Sequence, residues 1–132
     1  MMRAVLADTG PLYAAVDPED EHHARALLEL RKLNRDRQEI VILYSTLLEA
    51  YSLIMFRLGR DVASNWLLDV AQTALVNPTS EDYWQAAARI RALADQPITL
   101  FDAVAAVVAT RLKVDVWTYD HHFDVMRVGV WR

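Results

Sequence analysis

Four acids stand where a folded chain has little reason to place charge. Asp8 is the only charged residue from Ala4 to Val16, Glu49 the only one from Ile40 to Phe56, and Asp102 the only one between Asp95 and Arg111. Asp120 follows the stretch Val114 to Thr118, which reads as a strand. Each acid lies near the expected end of a strand or the start of a helix. An ionised carboxylate in apolar surroundings is costly unless a cation or hydrogen-bond donors meet it. Four of them gathered at one point would repel and raise one another's pKa values unless cations fill the space. All-oxygen carboxylate sites suit Mg²⁺ or Mn²⁺. Such an ion lowers the pKa of bound water and steadies charge on a phosphate, which favours hydrolysis of a phosphodiester. Spacing alone leaves open whether the four converge.

Each acid also has a plain structural reading. Asp8 or Thr9 fits a helix cap, and Asp102, three residues after Thr99, fits a capping box. A first-turn acid also suits the helix dipole. Glu49 fits an exposed helix side, and Asp120 a turn. The histidine pairs are ambiguous in the same way. His121 and His122 read as surface loop groups rather than ligands, and His22 and His23 as ordinary solvated or packing positions. The cluster Arg31, Lys32, Arg35 and Arg37 reads as a solvated helix face rather than a phosphate grip. The four tryptophans are expected in the core rather than as base-stacking platforms.

The elements that must position the acids alternate between strand and helix. Arg3 to Ala7 reads as a buried strand ending at Asp8, with Thr9-Gly10-Pro11 turning into a short helix, Leu12 to Val16. Glu19 to Arg37 is helical, with His23, Ala26, Leu27, Leu30 and Leu33 on one face. Glu39 to Leu43 is a second strand. Ser45 or Thr46 is expected to cap a helix running to Leu58 and stopped by Gly59. Asp61 to Ala71 is another helix, and Ala74 to Asn77 a third strand. Thr79 caps a helix through Ala94, with Asp82 in the capping-box position. The all-apolar helix from Leu100 to Thr110 carries Asp102 in its first turn and reads as buried. Val114 to Thr118 is a fourth strand, and Val128 to Trp131 a short fifth. This alternation predicts an α/β sandwich with a mainly parallel sheet of four to five strands. In such sheets functional groups collect at the carboxyl ends of the strands.

Composition narrows the class. The 132 residues fit one domain spanning 1–132, and 54% hydrophobic content with three glycines and four prolines argues for an ordered globule. Cysteine is absent, which removes disulfide and thiol chemistry and suits a cytoplasmic location. The apolar run after Arg3 is broken by Asp8, so no secretory signal is expected. No segment reaches the roughly 18 uncharged apolar residues of a membrane span. The net charge of −4 leaves nucleic acid open as a partner, because without the four acids the remainder is neutral.

Taken together and in order, the motifs carry a resemblance. They are Asp8-Thr9-Gly10-Pro11-Leu12, Leu48-Glu49-Ala50, Phe101-Asp102-Ala103-Val104-Ala105-Ala106 and Thr118-Tyr119-Asp120-His121-His122-Phe123. The chain resembles PIN-domain proteins, specifically VapC-type toxin ribonucleases of toxin–antitoxin systems, over essentially its full length. The resemblance implies a PIN-like three-layer α/β/α sandwich. It implies that Asp8, Glu49, Asp102 and Asp120 bind Mg²⁺ or Mn²⁺, position the attacking water and act as the catalytic set. Thr118 would help order the site through its hydroxyl, and Asp124 would be an auxiliary fifth acid behind the four. The implied reaction is cleavage of single-stranded RNA to 5′-phosphate and 3′-hydroxyl ends. The implied partners are an RNA substrate, a cognate antitoxin lying across the active-site groove and a second copy in a homodimer. The apolar helices at Ala50–Leu58 and Asn65–Ala71 offer surfaces for both contacts, with core packing as the other reading.

Three other readings compete. A catalytically inactive binding module of the same fold is opposed by the intact acids. A receiver-type phosphoacceptor domain wants an acid beside Asp8 and an acceptor Asp after the middle strand, where Thr9-Gly10 and Tyr44-Ser45 stand. A haloacid-dehalogenase-like phosphatase wants an acid two residues after Asp8, where Gly10 stands.

Overall fold

Strands β1 (Arg3–Ala7), β2 (Gln38–Leu43), β3 (Ala74–Val76) and β4 (Asp115–Trp117) pair in the order β3-β2-β1-β4, all parallel. Val5-Leu6-Ala7 and Val41-Ile42-Leu43 are buried without alternation, as expected of a parallel sheet covered on both faces. Successive side chains still point to opposite faces. Leu6, Leu43 and Val116 enter one core, while Val5, Ala7, Ile42 and Trp117 enter a second. The computed structural model describes residues 3–132.

Helices α1 (Thr9–Val16), α2 (His23–Arg35), α3 (Tyr44–Leu58) and α4 (Arg60–Val70) supply the second core, through residues such as Leu12, Leu33, Ile54 and Trp66. Helices α5 (Ser80–Ala92) and α6 (Leu100–Leu112), with the short α7 (His122–Val125), supply the first. The result is a three-layer α/β/α sandwich. The chain steps from β1 through β2 to β3 with its helices on one face. It then returns past β1 to β4 with α5 and α6 on the other. That reversal places a switch point between β1 and β4, where groups beyond the carboxyl ends of both strands can meet.

Helix α6 is the inner member of its layer, buried at every position from Asp102 to Ala109. Its alanines and valines let it lie close to both the sheet and α5. Its far end is pinned: Arg111 donates Nε to Asp82 Oδ1 at 3.0 Å and Nη2 to Oδ2 at 2.7 Å. Asp82 also closes the expected capping box with Thr79 at the start of α5. Gly59, at φ 96° and ψ 167°, makes the break between α3 and α4. Among the described residues, no helix is long and apolar enough to cross a membrane.

The structure departs from the sequence expectations at five places. The fifth strand is only a bridge between Val116 and Val130, because the segment leaves a turn through left-handed Arg127 and meets β4 at one residue. Strand β2 runs into α3 with no loop, so Leu43 takes the N-cap position and Ser45 and Thr46 fall inside the first turn. Helix α2 begins at His23 rather than Glu19, since Asp17 and Asp20 accept backbone amides in turns just before it. Trp84 is 72% exposed, on the solvent side of α5, whereas Trp66 and Trp117 are core residues. Glu49 lies in the second turn of α3, further along than the helix start expected of each acid.

Candidate active site at the carboxyl edge of the sheet

A cleft of about 720 Å³ opens at the carboxyl edge of the sheet, and Asp8, Glu49, Asp102 and Asp120 all line it. Each arrives on a different element. Asp8 follows β1, whose end is tied to β4 by the Asp8 amide donating to the Trp117 carbonyl at 2.9 Å. Asp102 sits in the first turn of α6, Glu49 on α3, and Asp120 just beyond β4. Thr9, Gly10, Ser52, Leu53, Phe56, Thr99, Tyr119 and His121 complete the lining. No Lys or Arg is among these lining residues.

The plain structural readings account for only part of what the acids do: Asp120 does hold a turn, but Asp8 and Asp102 do not cap with their carboxylates. Asp8 occupies the N-cap position of α1, yet its carboxylate makes no cap hydrogen bond into the helix. It instead accepts from the Thr118 hydroxyl at 2.8 Å. Thr99 caps α6 by accepting the Asp102 amide at 3.2 Å, but Asp102 returns no bond, so its carboxyl faces the cleft. The Glu49 carboxylate accepts from the Thr9 hydroxyl. Asp120 accepts the His122 amide at 2.8 Å and lies 3.1 Å from His122 Nδ1. Thr118 is the hinge of the set, since its hydroxyl oxygen also accepts the Asp120 amide at 3.0 Å.

The electrostatics are those of crowded anions. Burial pushes the Asp102 carboxyl up to about 8, with the charges of Asp8 and Asp120 adding to it. Burial likewise pushes Asp8 up to about 6, against the lowering effect of the Thr118 hydroxyl and the Thr9 amide. Burial acts upward on Asp120 too, but is outweighed by the His122 amide, a hydrogen bond from Asp102 and the His122 ring, so Asp120 lies below its ordinary value. The crowding thus favours the protonated form of Asp102 and the ionised form of Asp120.

Asp124 does not join the four. It is exposed and pairs with Arg132 at 3.2 Å, in an adjoining concavity. His121 does line the cleft, and His122 holds Asp120, so both carry more of the site than a surface reading gave them. Asp120, His121 and His122 can bring ligand atoms within 4.8 Å of one another. The hydrogen bond donated by the His122 amide to the Asp120 carboxylate is an ordinary Asx turn, and the His121 side chain is 76% exposed, so we read this trio as support for Asp120. Sequence reasoning missed Thr9 as the partner of Glu49. Its only signal was a hydroxyl directly after Asp8.

A parallel α/β/α sandwich with four acids at its switch point defines a class, and comparison supplies the family. The PIN domain model matches residues 5–128. The chain belongs to the PIN-domain family and is on that ground a nuclease. Among solved structures, Mycobacterium tuberculosis VapC20, a toxin that cleaves the sarcin–ricin loop, superposes with TM-score 0.85 at 17% identity, over 97% of this chain and 98% of that one. VapBC2 from Rickettsia felis, bound to a promoter DNA fragment, gives TM-score 0.74 at 12% identity over 98% and 97%. FitAcB from Neisseria gonorrhoeae gives 0.69 at 17% identity over 97% and 96%. At these identities the likeness is one of fold. No curated protein sequence matches the chain.

Proposed function

We propose that this chain is an Mg²⁺- or Mn²⁺-dependent endoribonuclease of the VapC toxin type, hydrolysing single-stranded RNA to 5′-phosphate and 3′-hydroxyl ends. The observation that carries this reading is the meeting of Asp8, Glu49, Asp102 and Asp120 in one cleft that no Lys or Arg lines. The donor set fits the ion, because hard carboxylate oxygens in this number suit Mg²⁺ or Mn²⁺. The raised pKa values of Asp8 and Asp102 point the same way, since a cation would relieve the repulsion behind them. These four acids would hold the ion. When bound, it would supply a water of lowered pKa and offset charge growing on the phosphate.

The chain's own residues account for the rest. Thr118 holds the Asp8 carboxylate and the Asp120 backbone at a fixed spacing, and Thr9 does the same for Glu49. Their carboxylates orient the attacking water by accepting hydrogen bonds from it. Water oxygen attacks phosphorus and gives up one proton to a cleft carboxylate, the bond from phosphorus to the 3′ oxygen breaks, and that oxygen takes a proton from solvent to leave as the 3′-hydroxyl. Leu53 and Phe56 on α3 form the apolar wall of the cleft beside the acids.

The partners follow the same reading. A cognate antitoxin is supported by structural neighbours that are VapBC and FitAcB assemblies. A homodimer is supported by Tyr44, Leu48, Leu100 and Phe101, exposed apolar residues around one concavity at the starts of α3 and α6. A cytoplasmic location fits the lack of cysteine.

The test is cleavage of a mixed set of single-stranded RNAs by wild type and Asp102→Asn, with Mn²⁺, Mg²⁺ or chelator. Cutting that needs metal and disappears in the variant is the expected result. Equal cutting by both proteins would sink the assignment.

A further inference from the structure

Glu29 is an acid for which the nuclease reading has no use, yet it makes the longest-range side-chain bonds near the cleft apart from Thr118. It lies on α2, with its side chain 17% exposed. Its Oε1 accepts two donors from across the molecule: the Trp117 indole Nε1 at 3.1 Å and the Tyr119 hydroxyl at 2.5 Å. Those two residues flank Thr118. Arg25, one turn earlier on α2, places its guanidinium 4.3 Å from the Tyr119 ring centroid and pairs with Glu29 at 3.4 Å. His22 adds a tilted ring contact with Tyr119 at 4.8 Å. Tyr119 itself lines the acidic cleft and packs against Gly10 from the far side.

We infer that Glu29 is a positioning residue for the metal-binding edge, latching the segment Trp117-Thr118-Tyr119-Asp120 to α2 from both sides of Thr118. The inference rests on the nuclease reading for its functional consequence, but the latch itself is geometric. β4 is only three residues long, and the chain beyond it is held by no further ladder, so side-chain bonds must fix its height. Thr118 can bridge Asp8 and Asp120 only while its own backbone stays in place. One carboxylate oxygen taking a donor from each neighbour removes the freedom of that backbone to slide or roll. Groups that orient a ligand set from behind typically change metal affinity or activity by roughly 10–100-fold when removed.

The experiment compares wild type, Glu29→Gln, Glu29→Leu and Leu33→Ala. Gln keeps an acceptor oxygen at the same reach, whereas Leu removes it. Leu33 is buried on the same helix, in the core it shares with Trp117, and takes part in none of the latch hydrogen bonds, so Leu33→Ala loosens α2 and its packing while leaving Glu29 its two donors. Two readouts are taken well below the melting temperature: hydrogen-exchange protection of the Asp120 amide, and Mn²⁺ affinity in solution. Glu29→Leu is expected to lose most of the protection and to weaken Mn²⁺ binding roughly 10–100-fold. Glu29→Gln should recover most of both, and Leu33→Ala should lower the melting temperature while keeping both. The latch is overturned if Glu29→Leu retains wild-type protection, or if Leu33→Ala loses as much. Should wild type neither bind Mn²⁺ nor cut RNA while Glu29→Leu still loses protection, the nuclease reading falls and the latch stands.

Discussion

Replacing Asp102 by Asn is expected to make the metal-free protein more stable at mildly alkaline pH while abolishing its activity. The carboxyl is 8% exposed, and burial, reinforced by the charges of Asp8 and Asp120, raises it from 3.8 to about 8. The folded chain therefore keeps a proton that the unfolded chain gives up above its ordinary pKa. Stability falls with rising pH wherever the native state binds more protons, so the loss runs from about pH 4 to about pH 8. Each unit of that window is worth about 1.4 kcal/mol for one fully retained proton. Four units set a ceiling of about 6 kcal/mol, and sharing the proton with Asp120 reduces the realised loss to about 2–4 kcal/mol. Asp8, raised to about 6, adds a contribution of the same sign over a narrower window, ending near pH 6. Asn carries no proton to retain, and its amide still offers a donor to Asp120. Urea unfolding in chelator at pH 5 and pH 8 measures the effect. Wild type should lose stability between the two, and the variant should exceed it at pH 8 by about 2 kcal/mol or more. Mn²⁺ at a hundredfold excess over its Kd should then raise wild type by about 2.7 kcal/mol, and the variant far less. A wild type that is flat from pH 5 to pH 8, or a variant less stable at pH 8, would refute the picture of Asp102 as a crowded, buried acid.

Three further outcomes follow from the same structure. Thr118→Val removes the hydroxyl shared by Asp8 and the Asp120 amide, and should cost about 1–3 kcal/mol in urea unfolding together with a large fall in RNA cleavage. Gly59→Ala forces a side chain into backbone territory that is essentially glycine's alone, and should cost about 1–3 kcal/mol by the same measurement with metal affinity unchanged. Arg111→Leu strips Asp82 of its pair and should lower the melting temperature by several degrees near neutral pH. Arg111 holds Asp82 below its ordinary value, so the stability it confers is present above about pH 4 and lost in acid, and the variant's deficit should shrink there.

The candidate site was legible because its acids break a pattern. Asp8, Glu49 and Asp102 interrupt apolar runs, and the runs themselves fixed the strands and the buried helix around them. The direction of the β1 and β4 ends followed from the strand–helix alternation. What stayed hidden depends on which side chains reach one another across the fold. Nothing in the sequence marks Glu29 as bonded to Trp117 and Tyr119, 88 and 90 residues further on. The cap of α3 was misplaced because a strand that enters a helix without a loop leaves its hydroxyls one turn too late. Asp124 shares Asp120's neighbourhood in sequence, but the turn of α7 sends it to Arg132 instead. Trp84 was assigned to the core on residue type, whereas its position on α5 faces solvent.

The four acids are drawn from positions 8 to 120, and the order β3-β2-β1-β4 makes the first strand wait for the last. During synthesis the ribosome releases β1, β2 and β3 with their helices well before β4 emerges. Until then Asp8 has no hydroxyl to hold it, and Asp120 does not yet exist. On the nuclease reading, a growing polypeptide lacks Asp120 and the Thr118 hydroxyl, and the four-acid set is complete only once the final strand docks. For a nuclease, that timing keeps the acids of a nascent copy apart until the last strand is in place.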